Sequence, residues 1–147
     1  MVCKAIKEFF RTGYMPQSVS ATKLVILPKV KCPQTTAKFR PISCCNGLYK
    51  CIYKLLCLRI REVLPSLIQH NRAAFVPERQ LLYNVLICQD IARGYQRKHI
   101  SPRCLLKIDL QMAFDSVHWA FLRELLHALK FPHIFTKWIM VCVTYTY

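Results

Sequence analysis

The sequence predicts an α+β fold, rich in helix and carrying a small antiparallel sheet. Apolar residues recur at helical spacing over four separate stretches. An apolar run of strand type, Lys23 to Leu27, is followed by a proline-containing loop and a second extended segment, Phe39 to Ser43. The 147 residues are 54% hydrophobic, enough for one domain with a real core.

The elements follow in chain order. Val2, Ala5, Ile6, Phe9 and Phe10 share a helical face that Gly13 ends, and no capping residue precedes them. Such an opening fits a first methionine lying inside a longer element. Lys23 to Leu27 reads as a buried strand stopped by Pro28. Lys29, Lys31 and Lys38 lie in the loop before Phe39, so the pair forms a β-ribbon with positive charge at its tip. Asn46 is placed to cap a helix to about Leu64, with Leu48, Ile52, Leu55, Leu56, Ile60 and Val63 inward and Pro65 as its end. Another helix spans about Leu81 to Ala92 before Gly94. Ser101-Pro102 turns the chain into a strand, Cys104 to Asp109. Asp115 or Ser116 then caps a helix with Trp119, Leu122, Leu125, Leu126 and Leu129 on one face. Phe131-Pro132 breaks it, and a last helical or strand segment begins near Ile134.

Charge narrows the function. Lys and Arg number 22 against 7 Asp and Glu, a net +15 with a pI near 9.7, and such a field favours polyanions, nucleic acid above all. Only three glycines and many apolar residues exclude a disordered basic tail. Nine cysteines form no Cys-x-x-Cys pair, so neither zinc nor disulfides are expected. The odd count and the lack of a signal peptide predict reduced thiols in an intracellular protein, nuclear or cytoplasmic and not secreted. No run approaches the ~20 apolar residues of a membrane span. Among the scarce carboxylates, Asp109 ends an apolar run, where its desolvation needs an offset such as a metal ion. Asp115, after the turn, suits a helix cap better.

Five short motifs then occur in order. They are Leu27-Pro28-Lys29; Phe39-Arg40-Pro41-Ile42-Ser43-Cys44-Cys45-Asn46 with Tyr49-Lys50; Leu64-Pro65; Ala74-Phe75-Val76-Pro77 with Arg79 and Asn84; and Ile108-Asp109-Leu110 with Ala113-Phe114-Asp115-Ser116-Val117. On these residues the chain resembles the reverse transcriptase domain of LINE-type (non-long-terminal-repeat) retrotransposons, especially those of plant genomes.

The resemblance implies a partial right-hand polymerase: fingers over about residues 1–100, and the start of the palm, with its first strand, over about 101–147. Asp109 would be the first catalytic aspartate and a ligand of two Mg²⁺ ions, with the Leu110 backbone carbonyl beside it. Phe114 would close over the sugar of the incoming nucleotide. Arg40 and Lys29 would grip its triphosphate, and Arg79 would lie against the template–primer. The implied partners are an RNA template, a DNA primer and a deoxynucleoside triphosphate. These residue types suit in-line displacement at phosphorus, where hard oxygen ligands hold Mg²⁺ and arginine meets phosphate with a two-pronged donor.

The chain also departs from the family. Met112 stands where a basic residue is usual, Glu78 where glycine is usual, and Tyr83 where aspartate is usual. A side chain at position 78 is expected to strain the turn. The family's Gly-Gln-Asp segment and Tyr-Ala-Asp-Asp hairpin lie downstream of the position of Tyr147, and the 147 residues hold no Asp-Asp pair. The expectation is therefore a truncated reverse transcriptase, inactive alone. The alternative is a non-catalytic nucleic-acid-binding remnant. A third reading, a basic domain for an acidic protein partner, is disfavoured by five motifs in order.

Overall fold

The first helix, α1 (Val2–Thr12), ends where the sequence says it should. Gly13 takes the left-handed conformation, φ 70°, and its N–H donates to Phe9 O at 2.7 Å. A side chain there would also meet Lys137, whose Cε lies 3.0 Å from the position of a Cβ. The computed structural model describes residues 1–72, 74, 76–93, 95, 104, 106–108 and 116–144. These form two compact units, Met1–Cys57 with His118–Tyr147, and Leu58–Val117.

In the first unit α1 leads through a short helix, α2 (Gln17–Ser20), into the ribbon. Strand β1 (Thr22–Pro28) pairs antiparallel with β2 (Phe39–Cys45), in a register that sets Leu27 opposite Arg40 and Val25 opposite Ile42. A 3₁₀ turn, Thr36–Lys38, precedes β2. The ribbon is as expected, but β1 is not a buried strand. Leu24 is 63% exposed and Ile26 59%, and only Thr22 is half-buried. A strand run this apolar is buried when a second layer covers it. Among the described residues nothing covers this one.

Helix α3 (Gly47–Leu67) follows at once. Asn46 caps it as expected, its Oδ1 accepting from the Leu48 N–H at 3.0 Å. Two expectations need correction. Pro65 does not end α3, which runs on to Leu67. A proline in the last turn forfeits one backbone bond and leaves the preceding turns intact. The buried face is also rotated: Tyr49, Ile52 and Leu56 are buried, whereas Leu55 and Val63 are 39% and 40% exposed.

Helix α5 (Trp119–Ala128) starts later than expected. His118 occupies the N-cap position without a side-chain bond, Ser116 lies in a turn, and Asp115 is outside the described residues. Capping by Ser116 is thus not found, since Ser116 sits two residues ahead of the cap position. The C-terminal end is built as a Schellman turn. Lys130 is left-handed at φ 59°, its N–H donates to His127 O at 2.9 Å, and the Phe131 N–H donates to Leu126 O at 3.1 Å. Helix α6 (His133–Thr144) then returns beside α5 and resolves the last segment as helix.

Rings join α6 to α1: Phe10 meets Trp138 edge-on at 4.9 Å, and Trp138 meets Phe135 at 6.2 Å. Tyr49 ties α3 to α6 by donating its hydroxyl to the Cys142 carbonyl at 2.8 Å. Also buried in this unit are Phe9, Ile52, Leu56, Leu126 and Met140.

The second unit holds the end of α3, a loop, and α4 (Leu81–Arg93), which has no buried residue. The expected strand from Cys104 is not formed by its described residues. Cys104 and 106–108 are in no regular element, with Leu106 75% and Ile108 71% exposed. A strand needs a paired neighbour, and none of the described residues lies alongside. Among the described residues the architecture is six helices with one two-stranded antiparallel sheet.

Candidate nucleotide and nucleic-acid interface

The ribbon brings two of the expected site residues onto one hairpin. Directly opposed residues of an antiparallel pair project to the same face, so Arg40 shares its face with Leu27. Its side chain is exposed and has no ion-pair or hydrogen-bond partner among the described residues. Lys29 begins the tip loop. Its N–H donates to Lys38 O at 2.7 Å, and its ammonium donates to Ala37 O at 2.8 Å. That bond uses one of three ammonium donors and fixes the lysine against the loop that delivers Lys38 and Arg40. The tip therefore presents Lys29, Lys31, Lys38 and Arg40 with no acidic residue between positions 9 and 61 of the chain. Such a tip attracts phosphate through charge and, at Arg40, through a planar donor pair.

Arg79 belongs to the second unit and serves a role the sequence did not suggest. Its guanidinium donates to four backbone carbonyls: Nη1 to Gln69 at 2.5 Å and Arg72 at 2.8 Å, Nη2 to Pro65 at 2.9 Å and Ile68 at 2.8 Å. The last carbonyls of a helix lack intrahelical partners, and the planar five-donor head fills that need at the end of α3. Arginine is thus the fastener of the 65–79 loop. Beside it Glu78 sits at φ 64°, in the left-handed region, as expected for a position where glycine is usual. Asn84 braces the same loop, Nδ2 donating to Asn71 O at 3.3 Å.

Asp109, Leu110 and Phe114 lie outside the described residues. Among the described residues no cluster of three His, Cys, Asp or Glu stands ready for a metal ion. Nor is any helix among them long and apolar enough to cross a membrane.

Tyr49 and Cys142 are the residues that sequence reasoning passed over as core. Burial pushes the Tyr49 phenol up to about 12, with nearby thiols adding to the shift, and pushes the Cys142 thiol up to about 11. The helical spacing of Tyr49, Ile52 and Leu56 was the available signal.

Comparison with known proteins bears on this arrangement. The family model for reverse transcriptase (RNA-dependent DNA polymerase) matches residues 27–146, beginning at the ribbon tip. The transposon TX1 uncharacterized 149 kDa protein of Xenopus laevis is 29% identical over 136 residues, 92% of this chain and 10% of that protein. The retrovirus-related Pol polyprotein from type-2 retrotransposable element R2DM of Drosophila melanogaster is 24% identical over 127 residues, 86% of this chain and 12% of that protein. The chain thus spans about a tenth of the length of these curated relatives, both of them proteins of transposable elements. A family match running from the basic ribbon through α6, with two relatives of this kind, carries the conclusion: the chain belongs to the reverse transcriptase (RNA-dependent DNA polymerase) family, with the retrotransposon kinship that its motifs indicate.

Proposed function

We propose that the chain supplies the fingers and the opening of the palm of a right-hand RNA-directed DNA polymerase of LINE type, and does not synthesise DNA alone. The observation that supports this best is the ribbon tip, where Lys29 and exposed Arg40 share one hairpin at the start of the family match. In this reading Arg40 and Lys29 contact the triphosphate of the incoming nucleotide, and Phe114 lies against its sugar. Arg79 shapes the loop that meets the template–primer. Asp109, with the Leu110 carbonyl, is the donor set for Mg²⁺, and its hard oxygens suit that ion. When bound, two such ions stabilise the attacking and leaving oxygens of nucleotidyl transfer.

One aspartate does not supply the ligands that two ions need, and the 147 residues contain no Asp-Asp pair. That feature favours a second reading, a non-catalytic module that binds RNA or DNA through its basic surface. The test is extension of a DNA primer on an RNA template by the purified chain with Mg²⁺. No extension is expected. Extension that Asp109→Ala abolishes would contradict the reading.

A further inference from the structure

A second concentration of basic side chains stands in the α5–α6 hairpin of the first unit, on elements other than the ribbon. The Schellman turn sends α6 back alongside α5, and a groove of about 310 Å³ opens there. Arg123 and His127, four residues apart on α5, line it together with His133 and Lys137, four apart on α6. The His127 and His133 ring centroids are 5.8 Å apart. Among the described residues no carboxylate lines the groove, and Glu124, the acidic residue of α5, is not among its walls.

Three further features point to an anion. Arg123 has no hydrogen-bond or ion-pair partner among the described residues. Lys137 donates to Thr12 O at 3.3 Å and keeps two N–H donors. Thr136, which lines the groove, is 3% exposed, and its hydroxyl has no hydrogen-bond partner among the described residues. The groove also includes the first turn of the twelve-residue α6, whose leading N–H groups carry the positive end of the helix dipole. Side chains four residues apart on a helix are spaced by ~6 Å along its axis, so the groove offers a row of donors. A row suits successive phosphates of one strand better than a single ion.

We infer that the α5–α6 groove is a separate phosphodiester-binding site, holding the backbone of a nucleic-acid strand between Arg123 and His127 on one side and His133 and Lys137 on the other. This does not depend on the reading of the ribbon. Contact is to phosphate, so the site takes RNA or DNA without regard to sequence.

The test is fluorescence anisotropy of the 147-residue chain with a labelled single-stranded oligonucleotide over a range of salt. Arg123→Gln with His127→Gln is expected to weaken binding about fivefold at low salt and to lower the slope of log affinity against log salt by about one. Unchanged affinity and slope, with helix content retained, would overturn the inference. Imidazole proton signals of the unaltered chain decide the matter if the double variant fails to fold. Shifts of both His127 and His133 at micromolar oligonucleotide, with inorganic phosphate needed in large excess, support a strand. Shifts with inorganic phosphate alone, or none with either, overturn it.

Discussion

At the scale of single residues, the sharpest feature is the pair Glu78 and Arg79. Glu78 pays for its side chain with a left-handed backbone, whereas Arg79 satisfies four carbonyls at once. A non-glycine residue in that region costs ~1–2 kcal/mol, offset in part by the extra freedom that glycine brings to the unfolded chain. Glu78→Gly is therefore expected to stabilise the protein by about 0.5–1 kcal/mol in urea denaturation. A neutral or destabilising result would show that the turn carries no strain. Tyr49 and Cys142 make a second prediction. Both groups are held protonated by burial, so their folded values lie above their unfolded ones. Stability from this source is complete below the unfolded thiol range, and it is lost as pH rises through about 11 for Cys142 and about 12 for Tyr49. Thermal melts should fall in alkali, and Tyr49→Phe should flatten the upper part of that fall.

At the scale of elements, the helices were legible because helical spacing is a local property. The Asn46 cap, the Gly13 stop and the ribbon of β1 and β2 all read directly from residue type. What was not legible depended on partners distant in sequence. Lys23 to Leu27 has the composition of a buried strand, yet exposure depends on what lies against it. The Schellman turn at Lys130 escaped notice because it uses lysine where glycine is the usual signal. That four backbone carbonyls converge on Arg79 is not legible in residue type. The exposed ribbon carries its own prediction. Leu24 and Ile26 occupy one face, and among the described residues no further strand pairs with either edge of the ribbon, the arrangement that invites strand pairing between molecules. Leu24→Lys with Ile26→Lys should change folding stability by no more than about 0.5 kcal/mol while lowering self-association in light scattering. A large loss of stability would mean that this face is covered in the folded chain.

At the scale of the whole molecule, the chain is a strongly basic member of the reverse transcriptase family that spans about a tenth of its curated relatives. The ribbon tip and the α5–α6 hairpin, both in the first unit, offer basic side chains suited to phosphate, and neither needs a particular base sequence, whereas the Arg79 guanidinium is taken up by the carbonyls it fastens. The candidate site was legible as far as residue type allowed. Arg40 and Lys29 fall on one hairpin, whereas Asp109, Leu110 and Phe114 lie outside the described residues. The central claim, that the basic ribbon tip meets the phosphates of nucleic acid, is tested most directly by binding of the 147-residue chain to a primed RNA template as salt is raised. The account predicts weak binding at low salt, with log affinity falling linearly as log salt increases, and a shallower slope for Arg40→Gln. Binding that is undetectable at low salt, or indifferent to salt, would contradict it.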